Sequence, residues 1–255
     1  MTTHPPDSAR PRATRPVDAA GLVLIREGRT GPEVLLGRRH RRAGFLPDIY
    51  VFPGGRLDPA DATPSGFAEP LHPAVVDQLR RGSRGRPALA FARAAVRETF
   101  EETGLLLGRP VTAVRVPGAS RASADKPIWQ AFAANGFAPA FDALDFVCRA
   151  ITPTYSKRRY NTRFFLADGS VIAGDISGDG ELEDLAWRPL AALAGLTIVD
   201  VTEFVLAEAL RRWRQRCPAG TEPARLFCYR RETARWRIGT AGGWSPPDSG
   251  LVVPS

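Results

Sequence analysis

Arg97-Glu98-Thr99-Phe100-Glu101-Glu102-Thr103-Gly104 is the stretch whose reading decides the fold of this 255-residue chain. On a helix, residues three and four apart are neighbours, so Glu98, Glu101 and Glu102 project from one face within about one turn. Like charges so placed repel by roughly a few tenths of a kcal/mol per pair unless something neutralises them. A hard divalent cation does so, because Mg²⁺ takes oxygen ligands, keeps several waters and bridges carboxylates to phosphates. A merely acidic surface helix is the plainer alternative, and it is the better reading of an isolated Glu-Glu pair.

The surrounding residues favour the metal reading. Leu89, Ala92, Val96, Phe100 and Thr103 recur at helical spacing on the opposite side, which predicts an apolar face docked on a core. Gly104 suits a left-handed C-terminal cap and Pro87 a first helical turn. Five residues specified in this way arise by chance on the order of 10⁻⁴ times in a chain of this size. Upstream, Tyr50-Val51-Phe52-Pro53-Gly54-Gly55-Arg56-Leu57-Asp58 predicts a strand running into a double glycine, where backbone approaches a phosphate or metal with no Cβ in the way.

Together, Phe52-Pro53-Gly54-Gly55 and the run from Arg97-Glu98 to Gly104-Leu105 resemble the Nudix box of the Nudix hydrolases. That box reads Gly, five residues, Glu, seven residues, then Arg-Glu-aliphatic-any-Glu-Glu-any-Gly-aliphatic. Here Gly55 is followed after five residues by Asp61, one methylene short of Glu, and Thr99 stands at the aliphatic position. Positions 62 to 96 separate Asp61 from Arg97, 35 residues where the pattern has seven, so an insert of about 28, placed within residues 62–90, interrupts the box. The interruption resembles a subgroup typified by the peroxisomal coenzyme A diphosphatases and their bacterial relatives. Further words of that subgroup follow in order: Leu35-Leu36-Gly37-Arg38-Arg39, Phe45-Leu46-Pro47, Ile151-Thr152-Pro153 and Arg158-Arg159-Tyr160-Asn161-Thr162-Arg163-Phe164-Phe165-Leu166.

The resemblance implies an α/β sandwich of the Nudix type, a mixed sheet between helices. It also implies Mg²⁺ or Mn²⁺ held by Glu98, Glu101, Glu102 and the carbonyl of Gly54, with Asp61 supporting the loop and helix. Glu98 or a carboxylate from a later loop would take the proton of the attacking water. Glu181 sits where the family often places an additional carboxylate, with Glu183 and Asp184 as rivals and a solvated acidic run as the plain alternative. Arg97 flanks the carboxylate stripe, where its planar fork suits either Glu98 or Asp61. Arg38, Arg158, Arg159, Tyr160 and Arg163 are the expected substrate contacts, holding phosphate or stacking a base, against the alternative of an ordinary charged strand.

Composition bounds the remainder. A 44% hydrophobic content buries a sizeable core in one domain, and no run of about 18 apolar residues predicts a membrane span. Cys148, Cys217 and Cys228 form neither an even framework nor a metal pair, which fits a reduced, cytoplasmic setting. The three histidines, His4, His40 and His72, are scattered, and no nucleophile elbow or Walker-type loop is present. The net charge of +8 comes almost wholly from arginine and favours anionic partners. No aromatic-interleaved RNA-binding signature accompanies it, so small-molecule attraction ranks above nucleic-acid binding. A homodimer is left open.

Along the chain, residues 1–16 read as a flexible tail, 17–216 as the main domain and 217–255 as an extension. Strands are expected at Ala19 to Ile25, Glu33 to Gly37, Ile49 to Phe52, Val111 to Val116, Arg163 to Leu166, Glu183 to Trp187 and Leu226 to Arg230. Helices are expected from Pro73 to Arg81 and from Asp200 to Gln215, the latter capped by Asp200 and burying Phe204, Leu210 and Trp213, with partly helical Pro127 to Ala133 and Phe141 to Cys148. Gly82-Ser83-Arg84-Gly85-Arg86 is either a phosphate clasp or a solvated loop. The expected activity is metal-dependent hydrolysis of a diphosphate linkage in a nucleoside-diphosphate derivative, with coenzyme A or its thioesters leading by subgroup likeness. Removal of a 5′ cap or pyrophosphate from RNA, and non-catalytic nucleotide sensing, are the alternatives.

Overall fold

The computed structural model describes residues 14–83, 85–111, 127–178, 180–230 and 233–238, the last segment and Arg230 by backbone alone. Its frame starts from two strands, β1 (Val17–Gly28) and β2 (Gly31–Arg39), antiparallel across a turn in which Gly28 faces Gly31. The short β3 (Tyr50–Val51) adds to β2, and β4 (Gly54–Arg56) adds to β1 through Gly21 and Gly54. Pro59–Ala62 forms a 3₁₀ turn, followed by α1 (Pro73–Arg80) and α2 (Ala88–Thr103). Next come β5 (Leu106–Pro110), α3 (Pro127–Ala134), β6 (Phe137–Pro139), β7 (Asp145–Ile151), β8 (Tyr160–Asp168) and β9 (Ile172–Ala173). The chain continues through β10 (Leu182–Pro189), α4 (Asp200–Arg214), β11 (Arg225–Arg230) and β12 (Thr233–Ile238).

The main sheet runs β10-β2-β1-β8-β7-β11-β12, with β1–β8 and β7–β11 parallel and the other neighbours antiparallel. A second, small sheet has the order β6-β5-β9. Alternation along β1 splits the core: Ala20, Leu22 and Leu24 face α1, α2 and α3, while Val23 and Ile25 face α4 with its Val205, Leu206 and Ala209. The result is the expected mixed sheet between two helical layers. Residues on β11 continue that sheet through Arg225–Cys148 pairing. Among the described residues, no helix is long and apolar enough to cross a membrane.

Several local expectations need correction. Phe141 to Cys148 is a 3₁₀ turn at Phe141–Ala143 followed by β7, so its apolar run serves a strand and not a helix. The strand after Gly104 is β5, and the expected strand at Val111 to Val116 lies, from residue 112 on, outside the described residues. In α4 the N-cap is Val199; Asp200 sits inside the first turn and accepts from the Val201 N–H, and Phe204 and Trp213 are only half-buried. The tail at residues 1–13 is outside the described residues.

Candidate active site

Helix α2 is the central element of the site, and it is buried on nearly every side: Ala90, Phe91, Ala94 and Ala95 are as enclosed as the predicted Ala92, Val96 and Thr103. Short alanines let the strands and neighbouring helices approach closely. Thr99, at the aliphatic position of the box, is fully buried and satisfies its hydroxyl on the Ala95 carbonyl at 2.8 Å. Gly104 ends the helix in the left-handed conformation, φ 75°, with its N–H on the Phe100 carbonyl.

Two glycines fit the loop to this helix. The Gly54 N–H donates to Oε2 of Glu102 at 2.8 Å. At Gly55, an added Cβ would lie 2.4 Å from the Glu98 carboxylate, so any side chain there displaces Glu98. The double glycine therefore brings the backbone within reach of both carboxylates, and the Gly54 contact seen is through its N–H and not its carbonyl. Ser177, in the loop before β10, donates its N–H to the Thr103 carbonyl at 2.9 Å and ties that loop to the end of α2. Glu181 follows close behind and is near enough for its charge to act on Glu102.

Arg97 organises the stripe. Its Nε and Nη2 grip the Asp61 carboxylate at 3.0 and 2.9 Å, Nη2 also reaches the Arg56 carbonyl, and Nη1 donates to Glu98 and Glu101, both at 2.8 Å. The two partners proposed from sequence, Glu98 and Asp61, are thus held together by one fork. Burial opposes the Arg97 charge, but the Asp61 hydrogen bonds and the charges of Glu98, Asp61 and Glu101 outweigh it and raise its pKa.

The carboxylates feel the opposite pressure. Burial pushes Glu98 above the ordinary glutamate value, with Arg97 opposing and Glu101 and Asp61 adding to the rise. Glu102, 5% exposed, is pushed further up, first by burial and then by the charges of Glu98 and Glu181; the Gly54 N–H and Arg39 pull against this. Buried oxygen donors that repel one another are a chemical match for a hard cation. Among the described residues no three acidic, His or Cys side chains are gathered closely enough to hold an ion, since Glu98 and Glu101 are turned onto Arg97 and Glu102 onto Gly54. The Glu101 side chain is 41% exposed and has room to turn.

The expected substrate residues divide. Arg163 does not face substrate: its guanidinium is 1% exposed, donates to Asp18, the Asn161 carbonyl and the Gly82 carbonyl, and lies 3.8 Å over the Phe91 ring. It is a packing residue, because its strand position points into the helix layer. Arg38 pairs with Asp48 and Glu183. Arg159 donates to the carbonyls of Thr152 and Thr14, and Tyr160 meets Phe45 edge-on at 5.1 Å. Arg158 is exposed beside Gly44. Tyr160 pairs with Val17 and Gly54 with Gly21, which puts the two about 13 Å apart along β1 at ~3.3 Å per residue.

Three features escaped the sequence reading. Arg39 acts on Glu102, and its buried Nε has no hydrogen-bond partner. Asp18 collects Arg163, Asn161 and Arg86, which anchors the Gly82–Arg86 stretch at its end, with Arg84 outside the described residues. Arg93 pairs with Glu69 of the insert. The only signal was the spacing of Arg93 and Arg97, one helical turn apart. A cavity of about 1140 Å³ lies elsewhere, near Arg26, Asp168 and Trp213 at the far end of β1, and includes none of the box residues. The site is therefore placed by its charge chemistry and not by volume.

A mixed sheet between helices, with a double-glycine loop set against an Arg-Glu helix, is the fold of the Nudix hydrolases. A Nudix hydrolase from Alicyclobacillus acidocaldarius superposes with a TM-score of 0.57 and 29% identity, covering 81% of this chain and 94% of that one. In sequence, the chain is 32% identical over 136 residues to the acyl-coenzyme A diphosphatase NUDT19 of Gallus gallus, covering 39% of this chain and 35% of that protein. The Homo sapiens protein of the same name is 32% identical over 130 residues, 42% of this chain and 32% of its own. The chain thus spans about a third of the length of these curated relatives. No family model matches it.

Proposed function

We propose that the chain hydrolyses a phosphoanhydride in a nucleoside-diphosphate derivative with the help of Mg²⁺ or Mn²⁺, and that coenzyme A or an acyl-coenzyme A is its substrate. The observation that carries this reading is the enclosed set of Glu98 and Glu102 on one helix face: burial raises both in pKa, Glu101 and Asp61 add to the rise at Glu98, and Glu98 and Glu181 add to it at Glu102. Arg97 offsets Glu98 and Glu101, while burial and the charges of Glu98 and Glu181 leave Glu102 under a repulsion that a divalent cation would relieve.

Glu98, Glu101 and Glu102, with the Gly54 backbone, would hold the ion. Bound there, a divalent ion would neutralise diphosphate charge and acidify water. Arg97 keeps Glu98 and Glu101 in register with the loop. Glu98 and Glu181 are the carboxylates suited to take the proton of the attacking water, and Glu181→Gln separates them: loss of kcat with little change in KM assigns the role to Glu181. Arg39, whose charge acts on Glu102, would supply a positive charge for a phosphate oxygen. The coenzyme A assignment rests on the partial likeness to proteins named acyl-coenzyme A diphosphatase. None of the three cysteines is in a disulfide, which supports a reducing compartment.

The test is product analysis on coenzyme A, an acyl-coenzyme A, NADH, ADP-ribose and 5′-triphosphorylated RNA, each with Mg²⁺, Mn²⁺ or chelator. Metal-dependent cleavage of the coenzyme A compounds ahead of the rest is expected. Preference for RNA, with affinity that falls steeply as salt rises, would move the assignment to the RNA end.

A further inference from the structure

Resting on the hydrolase reading above, we propose that Glu69 of the insert is a positioning residue for the catalytic carboxylates, acting through Arg93, Asp61 and Arg97. Glu69 takes Arg93 in a two-point grip, Oε1 from Nε at 2.7 Å and Oε2 from Nη2 at 2.5 Å, and its Oε1 also accepts the Ser65 N–H at 2.9 Å. The third nitrogen of Arg93 donates to the carbonyl of Asp61 at 2.9 Å. The carboxylate of the same Asp61 accepts the Asp58 N–H and the fork of Arg97, whose remaining nitrogen holds Glu98 and Glu101. One continuous chain of hydrogen bonds therefore runs from the insert to the carboxylate stripe.

The line is almost dry. Side-chain exposures along it are 10% for Glu69, 4% for Arg93, 1% for Asp61 and 6% for Arg97. Arg93 and Arg97 stand one turn apart on α2, so two buried guanidinium groups are neighbours and each requires its own carboxylate. Asp61 serves Arg97, and Glu69 serves Arg93. Without Glu69, the Arg93 charge has Asp61 as its nearest remaining acid in this network and competes with Arg97 for it. The register of Glu98 and Glu101 then loosens. Through Glu69 the insert is thus tied to the helix that carries the carboxylates.

The experiment compares Glu69→Gln and Glu69→Asp with Glu208→Gln, which breaks the similarly buried Arg212 cluster on α4, outside the candidate site. Three quantities are read: kcat and KM, Mn²⁺ affinity by electron paramagnetic resonance, and hydrogen exchange of the Arg97 Nε–H signal, assigned by its loss in Arg97→Lys. Glu69→Gln should lower kcat and Mn²⁺ affinity about 10–100-fold, as loss of outer-shell partners does, with KM within about twofold and faster Arg97 Nε–H exchange. Glu69→Asp should recover part of each. Glu208→Gln should lower Tm with kcat within about twofold of wild type. Unchanged Arg97 exchange in Glu69→Gln overturns the inference whatever the turnover, as does a kcat loss that Glu208→Gln matches at equal Tm. If the wild-type chain cleaves no compound while Arg97 exchange still responds to Glu69→Gln, the hydrolase reading fails and the positioning of Arg97 stands.

Discussion

Arg97 and Asp61 meet as fork and carboxylate, Nε to Oδ1 at 3.0 Å and Nη2 to Oδ2 at 2.9 Å, although 36 positions separate them in the chain. Both are nearly excluded from solvent, with side-chain exposures of 6% and 1%. In a dry site a bidentate pair fixes orientation as well as distance, so the loop carrying Gly54 and Gly55 is clamped to the helix carrying the carboxylates.

Arg97→Lys tests that clamp. Lysine keeps the charge but offers no planar fork, so it satisfies Asp61 or the Glu98–Glu101 side, not both. The expected result is a folded protein with lowered Tm and kcat reduced about 10–100-fold. Wild-type kinetics in this variant would show that the fork does not orient the stripe.

Gly55→Ala probes the approach of loop to helix. The new methyl group would meet first the end of the Glu98 side chain, which is flexible, so the protein should accommodate it by turning Glu98 away. We expect a Tm loss of no more than about 2–4 °C, equivalent to ~1 kcal/mol in a domain of this size, with a far larger fractional loss of kcat. Equal kcat in mutant and wild type would separate Glu98 from the chemistry.

The raised carboxylates set a sign for pH dependence. Because Glu102 and Glu98 lie above the ordinary glutamate value of 4.5 in the folded protein, their protonated forms favour the fold. That contribution is complete below about pH 4.5 and is lost as pH rises through the raised values. Other acids, Glu69 and Glu208 among them, are lowered when hydrogen bonds outweigh burial and have the opposite sign, so the informative quantity is a difference. In chelator, Tm of Glu102→Gln minus Tm of wild type should grow from pH 4.5 to neutrality, and Mg²⁺ or Mn²⁺ should shrink it by stabilising the wild type. A difference flat in both pH and metal would remove Glu102 from the ion site.

Much of this arrangement is local and was legible in the residues themselves. The i, i+3, i+4 spacing of Glu98, Glu101 and Glu102, the glycine stop and the double-glycine loop are set by short stretches; the structure places the three on one helix that ends at Gly104, with Glu98 and Glu101 on Arg97 and Glu102 on the Gly54 N–H. Other features depend on partners far away in the chain. Arg163 looked like a phosphate contact because its strand is rich in charge; only the fold shows Asp18, Gly82 and Phe91 enclosing it.

Glu69 gave no signal either, since nothing in an acidic residue within an irregular insert points to Arg93. Phe141 to Cys148 is apolar without a clear period, and such a run distinguishes poorly between a short helix and a buried strand. The capping of α4 was displaced by one residue because Asp200 bonds its immediate neighbour instead of the second or third N–H.

The measurement that tests the central claim most directly is ³¹P detection of products from coenzyme A by wild type and Glu101→Gln, with Mn²⁺ and then with excess chelator. Glu101 is the exposed member of the stripe, so its neutral amide should spare the fold while removing a metal oxygen. The account predicts two phosphorylated products from wild type, none in chelator, their return when Mn²⁺ is restored, and a rate at least about 100-fold lower in Glu101→Gln. Chelator-resistant cleavage, or equal rates in the two proteins at saturating Mn²⁺, would contradict it.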